Sequence, residues 1–207
     1  MKINLIEYFA ETAVKYADRI AVINGEQSIT FADLDKKARA MAQAIISTCD
    51  CKNKPIALFI PKCIEAVWAD LAITYSGNTY MNLDVKNPAE RLRNILPLIK
   101  PAAIITNNAN KSKLDGVVPD GIHVINIDEL TFDGFIPSAD DLLARISDLI
   151  DTDPYCIINT SGSTGTPKGV VLNHKSFIDF MAQTFDEYKF TEKDVIGSLS
   201  PVVSFDG

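Results

Sequence analysis

The chain opens with apolar side chains at Leu5, Tyr8, Phe9, Thr12, Ala13 and Tyr16, a helical spacing that predicts an amphipathic helix over 4–17. Two short β-type runs follow, Ile20 to Ile23 and Ser28 to Phe31, around Asn24-Gly25. That pair tolerates positive φ at both turn positions, so a hairpin is expected. Thr30-Phe-Ala-Asp33 resembles a capping box and predicts a helix running to about Ser47. From there the pattern alternates. Pro55 to Ile60 is a continuous apolar run, as expected of a strand covered on both faces. A helix is predicted from Lys62 to Tyr75, a strand over Thr79 to Leu83, and a helix to Leu98 opened by Asn87 as cap and Pro88 as first position. Further strands are predicted over Ala102 to Thr106, Ile122 to Ile127, Tyr155 to Asn159 and Val170 to Leu172, and a last helix over His174 to Tyr188. The polar stretch 107–120 is expected to be loop with a short helix. The acidic stretch 128–153 is expected to be irregular, with a helix over Ala139 to Ile150.

Strands alternating with helices imply βαβ units. The expected fold class is therefore α/β, with mostly parallel sheets flanked by helices. Apolar residues make up 47% of the 207, enough to exclude a disordered chain. Lys and Arg number 20 against 27 Asp and Glu, a net charge of −7, which argues against a nucleic-acid-binding surface. No segment reads as a membrane span, because Lys62, Glu65 and Asp70 interrupt the most apolar region. Glu7 and Glu11 fall where a secretory signal would be uncharged, so a cytoplasmic location is the expectation. Cys49, Cys51, Cys63 and Cys156 lack zinc-site spacing and are expected to be reduced structural thiols.

The segment that carries chemistry is Thr160-Ser-Gly-Ser-Thr-Gly-Thr-Pro-Lys-Gly-Val170. It offers hydroxyls at Thr160, Ser161, Ser163, Thr164 and Thr166, glycines at Gly162, Gly165 and Gly169, and one cation, Lys168. Glycines let a backbone approach a ligand closely, and exposed N–H groups form an anion nest. Hydroxyls donate to phosphate oxygens, and a lysine adds a point charge. The segment therefore reads as a phosphate cradle. A flexible linker would not sit directly between two apolar runs. A Walker A loop, G-x-x-x-x-G-K-S/T, is excluded because Gly169 follows Lys168 where the Mg²⁺-binding hydroxyl should be.

This segment resembles the signature loop of the adenylate-forming (AMP-binding) superfamily, which includes acyl-CoA synthetases, firefly-type luciferases, non-ribosomal peptide synthetase adenylation domains and D-alanine–carrier-protein ligases. Ile29-Thr-Phe-Ala-Asp-Leu34 resembles the family's "LTYxEL" segment. Tyr80-Met-Asn-Leu-Asp-Val-Lys-Asn-Pro-Ala-Glu-Arg91 resembles "AYVPIDPxxPxER" of the amino-acid-activating branch, with Asn82 where proline is usual, a change expected to soften the turn. Ser204-Phe-Asp-Gly207 resembles the start of "FDxS", whose aspartate, here Asp206, receives the substrate ammonium in that branch.

The resemblance covers essentially the whole chain and implies an ATP-dependent amino-acid-activating ligase, forming an aminoacyl-adenylate with release of pyrophosphate. Thr160, Ser161, Gly162, Ser163, Thr164, Gly165, Thr166, Lys168 and Gly169 would hold the ATP phosphates, with Lys168 as the catalytic cation and Asp206 on the amine. Mg²⁺ would be bound mostly by residues outside this chain, and a phosphopantetheine carrier protein would receive the acyl group. Residues 1–207 are expected to be a partial N-terminal domain, inactive alone, lacking a downstream half and a C-terminal lid. Self-association through uncovered surface is a further expectation. Two alternatives stand beside this reading: a non-catalytic or partner-complemented module, and part of an acyl-CoA synthetase. His174 is expected to be a capping or surface residue, His123 structural, Trp68 core, and Asp140-Asp141 solvated.

Overall fold

The computed structural model describes residues 2–131, 134–160 and 168–198. Helix α1 (Leu5–Lys15) starts on a reciprocal cap. Asn4 Oδ1 accepts from the Ile6 N–H, and Glu7 Oε1 accepts from the Asn4 N–H. Strands β1 (Ile20–Asn24) and β2 (Gln27–Thr30) form the expected hairpin, pairing Asn24 with Gln27. The tight positions are thus Gly25 and Glu26, one residue later than expected, with positive φ at Gly25 alone. Thr30 Oγ1 accepts the Asp33 N–H at 3.1 Å and opens α2 (Phe31–Cys49).

The alternating part of the chain then runs β3 (Pro55–Phe59), α3 (Ile64–Tyr75), β4 (Thr79–Asn82), α4 (Ala89–Ile99), β5 (Ala103–Thr106), the single turn α5 (Asn108–Lys111), β6 (His123–Asn126), α6 (Ala139–Arg145), β7 (Pro154–Thr160), β8 (Lys168–Asn173) and α7 (His174–Tyr188). Pro88, rather than Asn87, is the cap residue of α4. Helix α6 is shorter than expected, ending at Arg145.

One six-stranded sheet has the order β6-β5-β3-β4-β7-β8. The first five strands are parallel, and β8 returns antiparallel to β7. Alternation along each strand divides two buried layers. Ile56 and Leu58 of β3, with Ala103 and Ile105 of β5, face α1, α2, α3 and α6. Ala57 and Phe59, with Ile104, face Leu92, Ile95 and Leu96 of α4. Helices on both faces explain why β3 and β5 read as unbroken apolar runs.

Candidate functional site

Five parallel strands leave their C-terminal ends along one edge, the edge where ligands bind in open α/β sheets. At that edge β7 hands over to β8. Thr160 pairs with Lys168 and Asn159 with Gly169, so residues 161–167 connect two hydrogen-bonded strands. The run of hydroxyl and glycine residues singled out from the sequence thus begins on β7 at Thr160 and ends on β8 at Lys168 and Gly169. Thr160, Lys168 and Gly169 are strand residues. Ser161, Gly162, Ser163, Thr164, Gly165, Thr166 and Asp206 lie outside the described residues.

Lys168 and Gly169 are exposed on β8. Gly169 has a packing role as well. A Cβ there would lie 3.0 Å from Ile157 Cγ2 and 3.2 Å from Ile99 Cδ1, tighter than ordinary contact. The absence of a side chain lets β8 approach α4 across β7.

A second segment reaches the same edge. Lys62, just past the end of β3, donates from Nζ to the Ser198 carbonyl at 2.7 Å and to Ser198 Oγ at 2.9 Å. Arg19 Nη1 donates to the Glu192 carbonyl at 2.7 Å. The chain after α7 is thereby tied back toward the mouth of β3.

Beside β7 lies a polar and aromatic group of which sequence reasoning singled out only His174. The β7–β8 register shifts between Pro154 and Cys156, as at a bulge, which re-aims side chains. Tyr155 meets Tyr80 edge-on at 5.1 Å, Phe177 at 4.9 Å and His174 at 5.1 Å between ring centroids. His174 is the first residue of α7, yet it is buried, with 3% of its surface exposed. This corrects the expectation of a capping or surface histidine: Asn173 is the cap, and His174 Nδ1 accepts the Leu5 N–H at 3.3 Å. Burial pushes its pKa down to about 4, against the opposing pull of Asp153 and Glu7. A neutral imidazole is what an Nδ1 acceptor requires.

Asn82, expected only to soften a turn, has a polar partner. It is the last residue of β4, and its Nδ2 donates to Asp70 Oδ2 on α3 at 3.1 Å. The position where the family segment carries proline has become half of a polar pair. Trp68 is buried, as expected; Asp141 is exposed, and it exchanges bonds with Ser138, the cap of α6, whose Oγ accepts the Asp141 N–H while the Asp141 carboxylate accepts the Ser138 N–H. His123 opens β6 with its side chain exposed. The four cysteines are free thiols. Among the described residues no group of three or more His, Cys, Asp or Glu side chains could hold a metal ion. No described helix is long and apolar enough to cross a membrane.

Residues 9–204 match the family described as AMP-binding enzyme. The chain is 32% identical to bacitracin synthase 1 of Bacillus licheniformis over 207 residues, covering 98% of this chain and 4% of that protein. Its fold is similar to the nonribosomal peptide synthetase FmoA3 in an AMPPNP-bound form, with a TM-score of 0.79 and 20% identity over 97% of this chain and 20% of that one. It is similar also to VinN in complex with 3-methylaspartate, with a TM-score of 0.76 and 17% identity over 92% of this chain and 53% of that one.

Proposed function

The chain belongs to the AMP-binding enzyme family, and from that premise we propose that residues 1–207 form the N-terminal part of an amino-acid-activating, adenylate-forming domain. The observation that carries the proposal is the β7–β8 ladder, which pairs Thr160 with Lys168 and Asn159 with Gly169 at the C-terminal edge of the parallel sheet, with a run of hydroxyl and glycine residues between them in the sequence. Such edges present backbone N–H groups to ligands, and this run is built from hydroxyl and glycine residues suited to phosphate oxygens.

In this reading Thr160, Ser161, Gly162, Ser163, Thr164, Gly165 and Thr166 bind the ATP phosphates. Lys168 and Gly169 complete the cradle from β8. Lys168 supplies positive charge where the transferring phosphate builds negative charge. Holding ATP against a bound carboxylate makes the displacement effectively unimolecular. The carboxylate attacks the α-phosphorus, the bond to the β-phosphate oxygen breaks, and pyrophosphate leaves. Asp206 receives the substrate amine, since an ammonium taken out of water needs a carboxylate partner. Lys62 ties Ser198 to the mouth of β3 at the same edge. Mg²⁺ would neutralise phosphate charge; among the described residues no group of three or more His, Cys, Asp or Glu side chains could hold it. The acyl group would pass to a carrier-protein thiol. FmoA3 was captured with AMPPNP and VinN with 3-methylaspartate, which supports a nucleotide and an amino acid as the two substrates. The chain spans about half the length of VinN, so the complete domain is proposed to include a downstream half.

The test is calorimetric titration of the chain with ATP and with pyrophosphate, alongside Lys168→Ala. Binding weakened at least about tenfold by the substitution is expected. Absence of binding to both proteins would favour a non-catalytic module that acts through a partner.

A further inference from the structure

Asp70 and Asn82 meet between α3 and the C-terminal end of β4, in a hydrogen-bonding arrangement that lacks one hydrogen. Asn82 Nδ2 donates to Asp70 Oδ2 at 3.1 Å. Each residue keeps one more oxygen, Asp70 Oδ1 and Asn82 Oδ1. Both are shielded from solvent, and neither has a hydrogen-bond partner among the described residues. Buried polar atoms without partners are rare, because each forfeits its hydration without return. Two acceptors left over on one pair cannot satisfy each other, since neither carries a hydrogen. A carboxylic acid facing a carboxamide resolves both at once, exchanging N–H···O and O–H···O bonds in a closed ring.

We infer that Asp70 is held as a neutral carboxylic acid that donates a second hydrogen bond, from Oδ1–H to Asn82 Oδ1, closing a proton-dependent clamp between α3 and the end of β4.

The surroundings agree. The titratable groups facing the carboxyl are Tyr80 on β4 and Tyr155 and Cys156 on β7, all three neutral in their ordinary state. His174 on α7 lies behind Tyr155 and is itself held neutral. Burial pushes the Asp70 carboxyl up to about 7, with the Asn82 amide pulling weakly the other way. The clamp fixes the last residue of β4, two residues beyond the Tyr80–Cys156 pairing that joins β4 to β7. It therefore bears on the alignment of the strand that leads into the candidate phosphate segment. The inference rests on the fold alone and stands whether or not the chain activates an amino acid.

A carboxyl that stays protonated in the fold and ionises in the unfolded chain gives a definite sign. Its contribution is whole below the unfolded value near 4 and is lost as pH rises to about 7. Asp70→Asn keeps both hydrogen bonds of the ring with an amide that does not titrate. The experiment measures urea unfolding of the intact chain and of Asp70→Asn across this range. The ratio of the two unfolding constants, native over variant, is expected to be flat below about pH 4 and to climb up to about tenfold per pH unit toward 7. Comparing the two proteins cancels the opposing titration of His174. A ratio flat throughout overturns the clamp. The ionisation is also read directly in the native protein, from the side-chain carboxyl carbon-13 resonance of Asp70. A titration near neutrality is expected, and a carboxyl already ionised at pH 5 overturns the inference even if the variant fails to fold.

Discussion

His174 shows how much one side chain can be altered by its place in the fold. Exposed, it would titrate near 6.5; buried, its charge must be shed, and the value falls to about 4. The folded state thus binds fewer protons than the unfolded state between these values. Its contribution to stability is complete above about pH 6.5 and is lost as pH falls toward 4. His174→Gln should remove a slope of up to about tenfold in the unfolding constant per pH unit, measured against the native chain by urea titration at matched pH. The contact that sets this, the Leu5 N–H on Nδ1, joins residues 169 positions apart. Local pattern predicted the start of α7 at His174 correctly but had no means of seeing the N-terminal segment laid over it. The same is true of Tyr75, whose hydroxyl donates to Asp35 Oδ1 at 2.6 Å while Arg39 holds Oδ2 at 2.7 Å.

At the scale of elements, the turn from α3 into β4 aligns the start of the sheet. The Gly77 carbonyl accepts the Asn53 N–H at 2.8 Å. Asn78 donates from Nδ2 to the Cys51 carbonyl and to Ser76 Oγ, and its Oδ1 accepts the Lys54 N–H. The chain entering β3 and the chain entering β4 are thus tied together before their first ladder bond. Gly77 has φ +78°, and a Cβ there would come within 2.9 Å of Ile146 Cγ2. Gly25 has φ +62° with open space around it. Gly77→Ala is expected to destabilise by more than Gly25→Ala, and by more than about 1 kcal/mol, because it adds a steric clash to the backbone strain both share. Thermal unfolding of the two variants measures the difference.

For the molecule as a whole, the two faces of the sheet are unequally finished toward β8. α2 and α3 are packed through their buried faces, whereas His174 is the only fully buried residue among the described side chains of α7. Phe180, Phe185 and Tyr188 on that helix are exposed, as are Val170 and Val171 on β8. Large apolar side chains left exposed in this way favour association. Phe180→Ser combined with Phe185→Ser should shift the chain toward the monomer in sedimentation measured over a concentration series. Equal association of both proteins would place the contact elsewhere. In a longer chain the same surface is where additional structure would gain most by docking.

The sequence by itself determined the kinds and order of the elements and the family. Helical spacing marked α1 and α7. A continuous apolar run marked β3, and the Thr30 capping box fixed where α2 begins. These signals are legible because they depend on residues within a turn or two of one another. The segment 160–170 was legible for a different reason: its chemistry is written in adjacent residues. Only the tertiary structure decided that β3 lies between β4 and β5, that β7 pairs with β4, and that Asn82 faces Asp70. Hydrophobic period states that a face is covered, never by what. The choice among covers is made by burying all of them together, so the buried polar pair and the shielded histidine are properties of the packed whole.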